Sequence, residues 1–387
     1  MMRKVVLASR LFVPEVSAGA FRLGALVSGL ARRGAEVTVV TTRPPAHAPD
    51  RADPPNVRVS RWPVLRDRGG NVRGYLQYLS FDGPLVFRLL FKRFDVLVAE
   101  SPPTTALVAA AVAVLHRRPI TYYAADVWTD GVIAMGAPRP VVAVMRCLER
   151  TVLRRAACVI SVSAEVTERL VLLGTDPSRI ATVGNGIDTT VFTTDAAPAA
   201  QGERYFVYTG TMSEWQSPDV LIEGFARIAP EHPGLRLRFF GQGALESSLR
   251  TLADELVPGR VDFGGVVSPS ESAQWIRGAV AALVSVAPGI GYDFARPTKT
   301  YAAAACGTPV LFAGPPVGGS IVRDADLGVA VGFTSEAVAD GMRELLTQWD
   351  SGKTEERRAV RAAWARENVS LSAVGDAAAQ VVLSVAR

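Results

Sequence analysis

Short runs of β-branched and other apolar residues alternate with stretches of helical periodicity, and the alternation occurs twice along the chain. Parallel strands need a crossover connection, so this pattern requires parallel sheets with helices on both faces. Residues 4–8 (KVVLA) read as a strand, Leu23, Leu26, Val27, Leu30 and Ala31 fall on one helical face, Gly34 suits a C-cap, and 36–41 (EVTVVT) reads as the next strand. That is a right-handed βαβ opening. Further strands are expected at 96–99, 120–123, 158–161 and 181–183. The stretch 193–204 (TTDAAPAAQGER) is small, polar and proline-containing, and is expected to be a linker. A second series follows, with strands at 206–209, 235–240, 261–263, 280–286 and 309–312, and helices at 220–228 and 245–256. Ser268, Pro269 and Glu271 mark the start of a helix through Trp275; Thr298 is expected to cap another over 299–306, ending at Gly307. From 355 onward the chain reads as helix. The expected organisation is an α/β chain of two doubly wound, Rossmann-like domains, 1–192 and 205–365, with a final helix in 366–387 packing back on the first.

Composition narrows the function. A chain of 387 residues that is 49% hydrophobic and only 20% charged can bury two cores. Its three cysteines, Cys147, Cys158 and Cys306, supply neither a disulfide framework nor metal-ligand spacing, and suit a reducing cytosol. The three histidines, His47, His116 and His232, are too scattered for a zinc site or a histidine-based triad, which argues against a metal hydrolase. The apolar run after the first basic residues is too short for a signal peptide, and the longest apolar run, 106–115, is about half of the roughly 20 residues needed to span a bilayer. The expectation is a cytoplasmic protein without a spanning helix. A net charge of +5 is modest and suggests no nucleic-acid partner. Arg88, Lys92 and Arg93 interleave with Phe87, Leu89, Leu90 and Phe91, and Arg146, Arg150, Arg154 and Arg155 recur at helical spacing. Either cluster suits peripheral contact with anionic lipid; the plainer reading is a solvated helix face with snorkelling arginines.

Two doubly wound domains create a cleft at the carboxyl ends of their strands, where ligands of such folds bind. In the loop 14–21 (PEVSAGAF), Gly19 and Ala20 would let backbone N–H groups approach an anion, or simply allow a tight turn. Gly210 with Thr211, and Gly241 with Gly243, follow strands and would lie against a nucleotide or serve as turn glycines. Arg296, Pro297, Thr298, Lys299 and Tyr301 set cations, a hydroxyl and amides at a helix start, which suits a diphosphate. Asp126 follows a strand at the expected cleft edge, beside aromatics (Tyr122, Tyr123, Trp128) able to stack on a sugar.

Taken in order, PEVSAGAFRLGALVSGLARRGAEVTVVT, FDVLVAESPP, ITYYAADVWTD, CVISVSAEVTERLVLLG, IATVGNGIDTTVF, YTGTMSEWQSPDVLIEGF, RFFGQGALESSL and RPTKTYAAAACGTPVL resemble the retaining glycosyltransferases of family 4, nearest their bacterial polysaccharide and lipopolysaccharide branch. The resemblance implies the GT-B fold. It also implies a nucleotide-diphosphate sugar held mainly by the second domain, an acceptor held mainly by the first, and transfer with retention that needs no metal or other cofactor. On that pattern the diphosphate lies between the Gly19 loop and the Lys299 helix, near Thr211 and Gln216, while Gly241 and Gly243 approach the base. Lys299 would stabilise the departing diphosphate, and Asp126 would sit near acceptor or donor hydroxyls. The family's two E-x7-E glutamates align with Phe294 and Ala302, so neither carboxylate is present; Asp293, beside the first position, is a candidate substitute. The acceptor would be a lipid-linked saccharide at the inner membrane face or a small natural product. Two other classes stay open: a GT-B nucleotide-sugar epimerase, which scarce histidine disfavours, and a non-catalytic accessory or pseudo-transferase.

Overall fold

The computed structural model describes residues 2–386 apart from Val16, Ala46, His47, Pro49, Asp50, Arg51, Arg68, Gly69, Asn71, Arg73, Gly291, Tyr292 and Phe294, and apart from the side chain of Ala134. The expectations about His47 and Phe294 therefore lie outside the described residues. The chain divides into two compact units, Met1–Asn185 with Leu371–Arg387, and Gly186–Ser370.

The first unit runs β1 (Lys4–Ala8), α1 (Ala18–Arg32), β2 (Glu36–Thr42), β3 (Val57–Trp62), α2 (Tyr75–Leu90), β4 (Val96–Glu100), α3 (Pro103–Leu115), β5 (Ile120–Ala124), α4 (Trp128–Ala134), α5 (Arg139–Arg155), β6 (Cys158–Ser161), α6 (Ala164–Leu172) and β7 (Ile180–Thr182). Its seven strands are ordered β3-β2-β1-β4-β5-β6-β7. The second unit runs β8 (Tyr205–Thr209), α7 (Asp219–Ile228), β9 (Arg236–Phe240), α8 (Glu246–Leu256), β10 (Val261–Phe263), α9 (Pro269–Gly278), β11 (Ala281–Ser285), α10 (Thr298–Ala305), β12 (Val310–Ala313), α11 (Pro316–Asp324), β13 (Gly328–Val331), α12 (Ser335–Asp350), α13 (Lys353–Glu356) and α14 (Arg358–Asn368). Its six strands are ordered β10-β9-β8-β11-β12-β13. Every strand pairing is parallel. Each sheet separates two apolar layers, so its central strands are buried on both faces.

The last helix, α15 (Leu371–Val385), belongs to the first unit and completes its core with Ala378, Ala379 and Val382. It crosses α1 at two glycines: a Cβ on Gly29 would lie 2.5 Å from Gly375 O, and one on Gly375 would lie 2.3 Å from Ala25 O. Arg32 fixes the crossing by donating to Asp376 Oδ1 at 2.9 Å and Ser372 Oγ at 3.2 Å.

The segment 193–204 is not a free linker. Phe192, Ala196 and Ala200 pack on the second unit's core, Arg277 Nε donates to Thr194 O at 3.0 Å, and Ala199 N donates to Gln274 O at 3.2 Å. Its small residues serve close packing against α9, so a composition that reads as flexible is here a fitted strap. The edge strands β3 and β13 were not anticipated, because half-exposed runs such as VRVSRW and GVAV lack the continuous apolar character of the interior strands.

Because the α1–α15 contact is backbone against backbone, Gly375→Val should destabilise the first unit by about 2–3 kcal/mol. Gly83→Ala, where a Cβ meets open space within α2, should be neutral or stabilising by up to about 1 kcal/mol. Thermal and urea unfolding of the two variants would show whether the crossing bears this stability.

Candidate functional site

In each sheet the strand order reverses once, between β1 and β4 and between β8 and β11, and the loops beyond the strands' carboxyl ends diverge there to leave a crevice. In the second unit, Lys299 of α10 reaches the loop after β8. Its Nζ donates to Thr211 O at 3.3 Å and lies 3.6 Å from the centre of the Tyr208 ring. Tyr208 Oη donates to the same carbonyl at 2.6 Å. Gln216 is buried beside them. With its amide oriented to satisfy both ends, its nitrogen donates to Thr211 O and Tyr208 Oη, and its oxygen accepts from Lys299 Nζ at 3.2 Å. Among the described residues no carboxylate pairs with Lys299, and desolvation alone holds its pKa well below the ordinary 10.5. Loss of water also raises the Tyr208 phenol. An ammonium held by neutral dipoles and a ring face is a site prepared for an anion.

The start of α10 adds to it. Thr298 does not cap the helix; Pro297 holds the N-cap position with φ −59°, Thr298 is the first helical residue, and no side chain caps the end. Proline presets the helical entry but has no side-chain acceptor; Thr300 N donates to Pro297 O at 3.0 Å, which leaves the amides of Thr298 and Lys299 at the positive end of the helix. At the other end, Arg358 and Arg361 of α14 donate from Nη1 to Cys306 O at 3.1 Å and Gly307 O at 3.0 Å, placing cations against the negative end of the helix. Sequence reasoning missed this pair; its signal is two arginines three apart in a helix that otherwise buries alanines. Burial lowers the Arg361 guanidinium to about 10.

The glycines after β8 and β9 are required by the backbone around them. Gly210 has φ +122°, and a Cβ there would meet Lys299 Cε at 3.0 Å. Gly241 has φ +129°, and a Cβ would lie 2.0 Å from Gly210 O; at Gly243 it would lie 2.0 Å from Met212 O. Met212 N donates to Gln242 O at 3.1 Å and Gly210 N to Phe240 O at 2.8 Å, so the two loops are laced together under Lys299. Turn packing alone accounts for these glycines. Arg296 is half-buried just before α10. Tyr301, expected among the donor contacts, is instead buried with the core beneath the helix, as is Ala302. The Asp293 carboxylate accepts from Gly289 N at 2.7 Å, within its own loop.

In the first unit, Gly19 is the second residue of α1. Ser17 caps that helix by accepting from Ala20 N at 3.1 Å, so the Ala20 amide is already taken. A Cβ on Gly19 would come within 3.1 Å of Glu100 Oε1, so a carboxylate borders the loop expected to receive an anion. Glu100 is in turn held by Arg22 Nη2 at 2.9 Å and Ser9 Oγ at 2.9 Å, all buried. Sequence reasoning quoted ESPP without singling out this glutamate. Asp126 is exposed in the bend between β5 and α4, without a partner among the described residues. Tyr122 and Tyr123 are fully buried in the sheet and cannot stack on a sugar; burial raises Tyr123 to about 12. Trp128 instead meets Tyr78 edge-on at 6.0 Å, and the Arg10 guanidinium lies 4.0 Å above that Tyr78 ring. The buried Glu149 secures the start of α4, accepting from Trp128 N and Thr129 N at 2.9 Å each; desolvation raises its pKa.

A cavity of about 880 Å³ also lies along β9 and β10, but Arg236 there is paired with Asp262, Arg238 with Glu203 and Arg250 with Glu246, so each of its arginines already has a carboxylate. Among the described residues no group of three or more His, Cys, Asp or Glu side chains is arranged to hold a metal ion.

Two doubly wound, Rossmann-like units in one chain are the architecture of GT-B glycosyltransferases. The sequence agrees: residues 18–186 match the glycosyl transferase 4-like domain and 203–348 match glycosyl transferases group 1. The chain belongs to the family 4 glycosyltransferases and has the GT-B fold. It is 30% identical over 207 residues to the D-inositol 3-phosphate glycosyltransferase of Thermobifida fusca, covering 48% of this chain and 45% of that protein. Against the enzyme of that name from Streptosporangium roseum it is 30% identical over 238 residues, 56% and 49% of the two chains. The chain thus spans about half the length of the curated relatives it matches. Among solved structures, Anabaena Alr3699/HepE in complex with UDP and glucose superposes with TM-score 0.68 at 16% identity, over 99% of this chain and 100% of that one. WaaG, a glycosyltransferase involved in lipopolysaccharide biosynthesis, gives 0.68 at 17% identity over 98% and 99%.

The depressed Lys299 pKa has a sign that can be measured. The folded protein binds this proton less tightly than the unfolded chain does, so protonation costs stability as pH falls through the window from 10.5 down to the lowered value. Lys299→Met should therefore melt higher than the parent at neutral pH without ligand, and the two should converge above pH 10.5. A lower melting temperature for the variant at neutral pH would mean that the ammonium is not held under strain.

Proposed function

We propose that the protein transfers a sugar from a nucleotide-diphosphate donor to a hydroxyl of an acceptor, with retention at the anomeric carbon and without a metal ion. The observation that carries this reading is Lys299: a half-buried cation with no carboxylate partner among the described residues, beside a helix start that no side chain of theirs caps, at the switch point of the second sheet. Breaking the anomeric bond builds negative charge on the diphosphate, and a preformed cation with aligned amides stabilises that charge as it develops. Lys299 and the first amides of α10 take the diphosphate, with Thr211, Gln216 and Arg296 around it and Gly241 and Gly243 toward the base. One phosphate oxygen accepts the acceptor's proton on the same face of the sugar as the bond forms, which needs no separate general base. The second unit is the donor-binding domain and the first holds the acceptor, with Asp126 accepting from its hydroxyls and Gly19 contributing an amide. We take the acceptor to be a lipid-linked saccharide reached from the cytoplasmic face by peripheral contact; a small natural product is the alternative.

Lys299→Ala should lower turnover by roughly 10²–10³-fold and leave the acceptor KM within about twofold. Parent-like turnover would remove Lys299 from the chemistry. A thermal-shift screen of UDP-, GDP- and TDP-sugars identifies the donor, and proton NMR of the first product reports its anomeric configuration. A second reading, a non-catalytic binding partner, is favoured by one observation: Ala302 lies buried where the family carries a glutamate. No shift with any nucleotide or nucleotide sugar would select it.

A further inference from the structure

The outer face of α2 is unlike any ordinary surface helix. Tyr75, Leu76, Leu79, Val86 and Phe87 recur at helical spacing and are all exposed, Tyr75 to 79% and Phe87 to 67%, with Gly83 between them and Phe91, 83% exposed, at the end. The inner face, Phe81, Leu85 and Leu89, is buried against the sheet. The helix's two charged residues do not reach the outer face. Asp82 is buried and accepts from Thr105 Oγ1 at 2.6 Å; Arg88 is buried and donates to Thr41 O at 3.1 Å and Ser60 O at 2.6 Å. The expectation of a solvated, snorkelling Arg88 is therefore wrong: strand carbonyls and the Trp62 ring 4.9 Å away hold it inside.

The stripe is widened by exposed Trp62 and Leu65, the latter tied to α2 through its N–H to Ser80 Oγ at 3.0 Å. At the far end of α2 stand Arg58, Lys92, Arg93 and, beyond the His116 contact with Leu90 O, Arg117 with exposed Leu115. Among the described residues none of these four cations is ion-paired. Arg58, Lys92 and Arg93 line a cavity of about 270 Å³ together with Phe91 and the Lys4–Glu36 ion pair. Neighbouring positive charge, Arg88 and Arg58, adds to burial in lowering Lys92.

We propose that the outer face of α2, from Tyr75 to Phe91 with Trp62 and Leu65, docks on an anionic lipid bilayer, its rings entering the headgroup boundary and its cations meeting lipid phosphates. An uncharged aromatic and aliphatic stripe ended by unpaired cations has the chemistry of an interfacial helix. Among the described residues the carboxylate lining this cavity, Glu36, is already paired with Lys4 at 3.7 Å, so a second copy of the chain would bring mainly like charge to these cations. The proposal deepens the peripheral contact in the reading above and would place the acceptor unit against the membrane that carries the acceptor.

The experiment is co-sedimentation of the full chain with phosphatidylcholine vesicles with and without phosphatidylglycerol, at low and physiological salt. The parent should bind the mixed vesicles, more weakly as salt rises. Phe87→Ser with Phe91→Ser should lower the partition coefficient at least tenfold, and Lys92→Ala and Arg93→Ala roughly fivefold each. All variants should keep the parent's melting temperature and nucleotide affinity. Absence of parent binding to the mixed vesicles, parent-like binding by the double Phe variant, or a dimer in solution that the same variant dissociates would each overturn the docking surface. Nucleotide affinity is read separately by calorimetry, so a failure of the donor site and a failure of the membrane face are told apart.

Discussion

The site in the second unit depends on one interaction, the placement of the Lys299 ammonium against the Tyr208 ring and the Thr211 carbonyl with no counter-charge among the described residues. That placement fixes much around it. Gly210 has to lack a side chain because the lysine stem crosses its Cα, and Gly241 has to lack one because the next loop closes over Gly210. Gln216 is buried to complete the dipolar seat, and α10 opens on a proline so that its amides stay available beside the cation. The cost of an unneutralised charge is met here by neutral groups alone, a ring face, a carbonyl and an amide.

The first unit handles charge in the opposite way. Glu100 and Arg22 neutralise each other in the interior, and Glu149 is consumed by the start of α4. Burial of a carboxylate is tolerated where two or three donors converge on it. Asp126, by contrast, is left in water at the end of β5. Among its described residues, the unit's buried charges are therefore satisfied from within, in contrast to Lys299 of the second unit.

Much of this was legible in the residues. The interior strands announce themselves as continuous apolar runs, and Lys299 lies in a stretch where cations, proline and hydroxyl coincide, so the parallel sheets and the lysine were readable. The edge strands were not, because every residue of β3 and β13 keeps some exposure and their runs carry a diluted signal. Nor was Thr298's true position: a threonine after a proline satisfies the pattern of a cap, and only the backbone angle tells that the proline has taken that place. Tyr122 and Tyr123 misled for another reason: they point to opposite faces of β5, and an apolar layer covers each face, so both rings end in the core. The Glu100–Arg22 pair is 78 residues apart in sequence and becomes visible only in three dimensions.

The glycine crossing of α1 and α15 bears on biosynthesis. A ribosome delivers the second unit, with its own two apolar layers, before it delivers the helix that finishes the first. Until residues 371–385 emerge, the groove of α1 around Gly29 has nothing to cover it, and the half-built sheet waits with an apolar flank open. The order of synthesis thus makes the first unit mature after the second, although its strands are made before it.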